Sequence, residues 1–215
     1  MNKLVIFDLD GTLIDSLPDI VYYINLMLNK FGFKERTYSE IRNFIGNGAR
    51  NLVKRSIGEE VSETFLDSCL EYYNQIYTNS GSTKTVIFEG VKNILIDLSK
   101  RGYKLAVLTN KPQETTDTII NNLFSFIKFD RVVGFMEGRK CKPDKTEALK
   151  LVNDLGVDIS DCYFVGDGET DVLTARNSNI KSISVLWGYR DREFLQQYGA
   201  EIFASSPKEL VRLIK

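Results

Sequence analysis

The sequence predicts an α/β protein: a doubly wound parallel sheet into which an all-helical cap is inserted. Three observations predict it. From residue 90 onward, short apolar runs of strand length alternate with amphipathic helical stretches. A separate apolar run, Leu4-Val5-Ile6-Phe7, opens the sequence and passes directly into acids and glycine. Between that run and residue 80 only helical periodicity is found.

Leu4 to Phe7 reads as a buried strand, followed by Asp8-Leu9-Asp10-Gly11-Thr12. Leu17, Ile20, Val21, Ile24, Leu28 and Phe31 then mark one face of a helix that stops near Gly32. Helical patterns follow over 38–45, 49–57 and 62–78, and the polar stretch 79–83 reads as a loop. Val91, Ile94, Leu95 and Leu98 give a helix ending near Gly102, and 104–109 forms a strand. The alternation continues as helix 113–123, strand 131–133, helix 144–155, strand 162–166 and helix 169–177. Strand 180–186, helix 191–197, strand 201–203 and helix 207–214 complete it. Such alternation implies right-handed crossovers and a parallel sheet covered on both faces, Rossmann-like in class. The first strand joins this sheet, so the helical block is an insertion. The expected division is 1–15 and 83–215 as core, with 16–82 as cap.

Composition narrows the function classes. Of 215 residues, 43% are hydrophobic, enough for a real core, and 27% are charged. A formal net charge of −1 without a basic block disfavours nucleic acid as a partner. No apolar stretch approaches the roughly 20 residues of a membrane span, and the opening residues read as a strand rather than a signal peptide. A cytoplasmic protein, monomeric or weakly dimeric and without membrane contact, is the expectation. Cys69, Cys141 and Cys162 are odd in number and lack metal-ligand spacing, which fits a reducing compartment. The chain has no histidine. Histidine general bases, Ser-His triads and histidine-ligated zinc are therefore excluded, leaving carboxylates, Lys, Tyr or Cys for acid–base chemistry.

The polar residues gather at predicted strand ends. Asp8 and Asp10, two apart on extended backbone, leave the same face and converge at the carboxyl end of their strand. In open parallel sheets that end opens into the ligand crevice. Clustered carboxylates repel unless a cation or shared proton compensates, so the pair asks for a hard, oxygen-ligated metal such as Mg²⁺. As isolated residues they also fit an ordinary turn. Thr109 and Asn110 follow the next strong strand, as a helix N-cap, an anion site or both. Lys142 precedes Pro143 and reads either as a solvated lysine, like Lys140, or as a cation for the crevice. Asp167 and Asp171, four apart after the 162–166 strand, suit an N-cap and a favourable first-turn charge, or a second acidic pair.

Taken together, Asp8-Leu9-Asp10-Gly11-Thr12, Thr109, Lys142 and Gly166-Asp167 with Asp171 resemble the four ordered motifs of the haloacid dehalogenase superfamily. The likeness spans essentially the whole chain, and the helical insertion after the first motif matches a type-one cap. Phe44-Ile45-Gly46-Asn47-Gly48-Ala49, Leu108-Thr109-Asn110-Lys111-Pro112 and Gly188-Tyr189-Arg190 look like the phosphoglycolate phosphatase branch. Two departures stand out: Lys142-Pro143-Asp144 lacks a second proline, and Gly168 replaces the Ser or Thr often found after the motif-four aspartate.

The resemblance implies a phosphomonoester hydrolase acting on a small phosphorylated metabolite. It makes Asp8 the nucleophile and Asp10 the acid and base. Thr109, Asn110 and Lys142 become the phosphate-binding groups, with Thr109 and Lys142 also in the catalytic set. Mg²⁺ is expected on the Asp8 and Asp167 carboxylates and the Asp10 backbone carbonyl, with Asp171 orienting a water outside that shell. In the cap, Gly46, Asn47 and Gly48 suit a carboxylate nest supported by Arg50 or Arg42, or equally a Gly-rich turn with solvated arginines. Pyrophosphate and broad sugar or nucleotide phosphates are alternative substrates. A β-phosphoglucomutase-like activity is disfavoured because Ile20 stands where that branch carries a cap-side histidine. Outside enzymology, a phosphoryl-binding regulatory module uses a similar Asp on a parallel sheet, although the inserted cap and complete acid set argue against it.

Overall fold

The computed structural model describes residues 3–79 and 83–215. Six parallel strands form the main sheet: β1 (Leu4–Phe7), β4 (Lys104–Pro112), β5 (Arg131–Phe135), β6 (Cys162–Gly166), β7 (Lys181–Val185) and β8 (Phe203–Ala204). Their order is β5-β4-β1-β6-β7-β8, with the opening strand near the centre. Alternating side chains explain the two apolar layers. Val5 and Phe7 of β1 join Leu105, Val107, Tyr163 and Val165 on one face. Helix α5 (Val91–Lys100) covers that face with Val91, Ile94, Leu95 and Leu98, and α10 (Pro207–Leu213) adds Leu210. Leu4 and Ile6 join Ala106, Leu108, Cys162 and Phe164 on the other face. There α7 (Thr146–Asp154) contributes Ala148, Leu151 and Val152, and α8 (Glu169–Ser178) contributes Ala175. Helices α6 (Gln113–Leu123) and α9 (Arg192–Gln197) complete the crossovers.

The four helices α1 (Leu17–Lys30), α2 (Tyr38–Phe44), α3 (Gly48–Ile57) and α4 (Glu63–Asn79) stand between β1 and the rest of the sheet in sequence. They bury a cluster of their own, including Leu17, Ile24, Met27, Leu28, Ile41, Val53, Leu66 and Tyr73. Gly32, at φ +80°, turns the chain after α1, as its sequence position predicts. Thr37 and Glu40 close a reciprocal capping box at the start of α2.

The structure differs from the sequence reading at the junctions. Ile14–Asp15 (β2) and Val86–Ile87 (β3) pair antiparallel as a separate two-stranded ribbon. Two residues per strand carry no periodicity, so only the tertiary pairing reveals them. Asp19, fully buried in α1, fastens the same junction by accepting from Lys84 N and Thr85 Oγ1. The predicted 79–83 loop falls mainly on 80–82, outside the described residues. Strand β4 runs three residues beyond its predicted end, through an irregularity between Leu108 and Pro112 that brings 109–111 into the crevice. Among the described residues, no helix is long and apolar enough to cross a membrane.

Candidate active site

The carboxyl ends of β1, β4 and β6 open into a cleft roofed by α1, α3 and α4. Asp8 follows β1, and its backbone N–H donates to Val165 O of β6, which fixes it against the neighbouring strand. Lys142 Nζ lies 2.7 Å from Asp8 Oδ1 and 2.6 Å from Asp171 Oδ1. The first contact is an ion pair away from the hydrogen-bonding direction, so the buried Asp8 Oδ1 has no aligned donor among the described residues. Lys142 is therefore a buried cation between two acids, and the solvated alternative does not hold.

Asp8, Asp167 and Asp171 each offer a carboxylate oxygen within 4.8 Å of the others. Burial, then the Asp171 charge, pushes the Asp8 carboxyl up to about 7 despite Lys142. Burial together with Asp8 and Asp171 raises Asp167 well above the usual carboxylate range. Burial opposes the Lys142 charge, but Asp171 and Asp8 outweigh it and hold the ammonium above its ordinary range. One cation among three crowded acids leaves the cluster short of positive charge. A carboxylate oxygen without an aligned donor and an all-carboxylate donor set suit a hard divalent cation.

Three glycines make room for these acids. A Cβ on Gly166 would meet the Asp171 side chain at 2.2 Å, and one on Gly11 would meet Asp167 Oδ2 at 2.2 Å. A Cβ on Gly188 would fall 2.3 Å from Gly11 O and 2.4 Å from Asp167 Cβ. Asp167 is not the helix N-cap; Gly168 holds that position, and Asp167 accepts from Tyr189 N at 2.7 Å and Thr12 Oγ1 at 3.3 Å. Asp171 serves twice, accepting from Gly168 N at the helix start and from Lys142 in the cleft.

The Asp10 carboxylate accepts from Ser16 Oγ and, at 3.0 Å, from Lys111 Nζ. Thr109 is buried at the end of β4 and lines the cleft, its Oγ1 accepting from Lys111 N. The N-cap of α6 is Pro112, so neither Thr109 nor Asn110 caps that helix. Asn110 commits its side-chain amide to the Lys142 backbone, donating to its carbonyl and accepting from its N–H. That amide orients the loop carrying Lys142, which leaves the Asn110 backbone rather than its side chain facing the cleft for an anion.

The predicted cap nest is only partly assembled. Gly46 and Gly48 line the cleft, whereas Asn47 turns its amide to Glu169 at 3.4 Å. Arg50 points away from the cleft and pairs with Glu63 and Asp67, with its side chain 42% exposed. Arg50 is thus not among the residues lining the cleft, and its guanidinium is paired outside it rather than at the expected nest. Its partners sit on the next helix, a tertiary pairing that local sequence does not announce. Arg42 likewise donates to Gly188 O.

A family model described as Haloacid dehalogenase-like hydrolase matches residues 5–185. The chain belongs to the haloacid dehalogenase-like hydrolases. A phosphoglycolate phosphatase of Psychrobacter arcticus is 33% identical over 216 residues, 97% of this chain and 90% of that protein. One from Colwellia psychrerythraea is 30% identical, covering 100% and 97%. A crystal structure of a proposed phosphoglycolate phosphatase from Lactobacillus delbrueckii subsp. bulgaricus superposes with a TM-score of 0.93. Its sequence is 31% identical, and the match covers 100% of this chain and 99% of that one.

For a haloacid dehalogenase-like hydrolase, sequence reasoning missed four groups around the motifs. Lys111 and Ser16 hold Asp10, while Tyr189 and Thr12 hold Asp167. Thr12, Lys111 and Tyr189 all lie inside the stretches that carried the resemblance, which was the one available signal.

Proposed function

We propose that this hydrolase is a Mg²⁺-dependent phosphomonoesterase of the phosphoglycolate phosphatase kind, acting through an aspartyl-phosphate on Asp8. The observation that carries the reading is the buried Asp8 carboxylate, ion-paired to the Lys142 ammonium but without an aligned donor on Oδ1, beside the Asp167–Asp171 pair. The relatives' names support the choice of a small phosphorylated acid as substrate. Residues 16–82 act as the cap and 1–15 with 83–215 as the catalytic core.

The Asp8 and Asp167 carboxylates and the Asp10 backbone carbonyl would hold Mg²⁺, with Asp171 outside them. When bound, Mg²⁺ offsets the repulsion between the Asp8 carboxylate and the phosphate. An Asp8 oxygen attacks phosphorus, and the ester oxygen leaves with a proton from the Asp10 carboxyl. Asp10 then removes a proton from water, which cleaves the acyl phosphate and restores Asp8. Ser16 and Lys111 keep the Asp10 carboxylate oriented through both steps. Thr109 and nearby backbone amides bind the phosphoryl oxygens, and Lys142 offsets charge on Asp8. Ile20, Ile45, Leu52 and Tyr73 supply the apolar wall that limits water.

Phosphate release from 2-phosphoglycolate, measured with Mg²⁺ and again in excess chelator, tests the proposal. Release should require the metal and disappear in Asp8→Asn. No release from 2-phosphoglycolate or other small phosphomonoesters would contradict it.

A further inference from the structure

The cleft contains three cations among the described residues: Lys142, Arg190 and Lys111. Lys142 is held between Asp8 and Asp171. Arg190 directs Nη1 to Arg42 O, Nη2 to Asn43 O and Ile45 O, and Nε to Glu169. It is thereby committed to the end of α2. Lys111 differs. Its side chain is 6% exposed, and its ammonium donates to Asp10 Oδ1 at 3.0 Å, to Asp10 Oδ2 at 3.4 Å and to Tyr77 Oη of α4 at 3.1 Å. Two of its three donors serve the same carboxylate, so the longer bond, to Oδ2, can turn to a substrate anion while Oδ1 and Tyr77 keep the ammonium in place.

The geometry points to Lys111 as the residue that selects substrates carrying a carboxylate next to the ester carbon. The inference rests on the phosphatase reading above and adds what the leaving group must look like. Asp10 meets the ester oxygen, and Lys111 lies one hydrogen bond beyond Asp10. In 2-phosphoglycolate the carboxylate carbon is two bonds from the ester oxygen. The acid that protonates the ester oxygen and the cation that binds the carboxylate must therefore be near neighbours, as Asp10 and Lys111 are. Tyr77 reaches the ammonium from the helical cap, so the recognition group is completed only with α4 over the cleft. This assignment replaces Arg50, whose guanidinium is engaged elsewhere.

A Lys111 that merely positions Asp10 would affect every substrate alike, whereas a recognition residue affects substrates according to their carboxylate. The test is kcat/KM for 2-phosphoglycolate and for ethyl phosphate, in the wild type and in Lys111→Met and Lys111→Arg. Wild type should prefer 2-phosphoglycolate by about ten- to a hundredfold, the effect of one charge-assisted hydrogen bond. Lys111→Met should lower kcat on both esters alike, through Asp10, and lower kcat/KM on 2-phosphoglycolate by about ten- to a hundredfold more, so that most of the preference is lost. Lys111→Arg should recover part of it. Equal losses on the two substrates in Lys111→Met would overturn the inference and leave the phosphatase proposal standing. Should Lys111→Met not fold, Tyr77→Phe and the wild-type comparison with 3-phosphooxypropionate take its place. That longer acid should be a poorer substrate than 2-phosphoglycolate, and equal use of both would also overturn the inference. Failure of the wild type to hydrolyse either ester would instead remove the phosphatase reading itself.

Discussion

Asp8 concentrates the conflict that the site is built to use: a buried anion beside two other acids. Replacing it with Asn removes the proposed nucleophile and one of the crowded charges. Asp8→Asn should lower kcat by at least about a thousandfold. The same change should raise the thermal stability of the metal-free protein near neutral pH. The pH dependence follows from the raised carboxyls of Asp8 and Asp167. Above about pH 4 the unfolded chain has released protons that the folded site still holds, so folded stability falls as pH rises toward about 7. A divalent cation binds the ionised acids and reverses this loss. The rise in Tm on adding Mg²⁺ should therefore be larger at about pH 8 than at about pH 5. An equal rise at both values would contradict the assignment. Arg50 marks the opposite case, an exposed residue outside the cleft. Arg50→Ala should leave kcat/KM for 2-phosphoglycolate within about twofold of wild type, as expected of an exposed ion pair.

At the level of elements, much of the fold was legible because it is local. Leu4 to Phe7 and Cys162 to Gly166 are short runs buried on both faces, so their apolar character alone marks them as central strands. The amphipathic faces of α1 and α5 are equally explicit in the spacing of Ile20, Ile24, Ile94 and Leu98. What escaped was tertiary. The β2–β3 ribbon is too short for a pattern, and Lys111 in sequence looks like any lysine after a strand. Its burial depends on α4 arriving from elsewhere in the chain with Tyr77. The 188–190 loop reads as a motif in the sequence, but its role depends on contact with Gly11 and Asp167. Gly188 lets that loop approach Gly11 and Asp167 closely, and Tyr189 N then donates to Asp167. Gly188→Ala would force these backbones apart and disturb an acid expected to bind metal. The Mg²⁺ concentration for half-maximal activity should rise about ten- to a hundredfold, the usual effect of losing such support.

Across the whole molecule, the parallel sheet and the four helices α1 to α4 bury separate apolar clusters and meet around a polar seam. Tyr189 crosses that seam: its ring joins the cap cluster, and its hydroxyl accepts from Ser16 N and Leu17 N at the start of α1. Arg190 crosses beside it and satisfies carbonyls at the end of α2 that the helix itself leaves open. Arg190→Ala should cost about 1.5–3 kcal/mol in stability, the worth of hydrogen bonds from a charged group. It should also raise KM more than it lowers kcat, because cap docking is weakened while Asp8, Asp10 and Lys142 are untouched. Thermal unfolding and steady-state kinetics on the same variant check both expectations.

The central claim is that Asp8 carries the phosphoryl group during turnover. The most direct measurement is acid quenching during turnover of phosphoryl-labelled substrate, followed by mapping of the labelled peptide. The account predicts an acid-stable label on Asp8 that is absent from Asp8→Asn. A turning-over enzyme with no bound label, or with the label on Asp10 or Thr109, would contradict it.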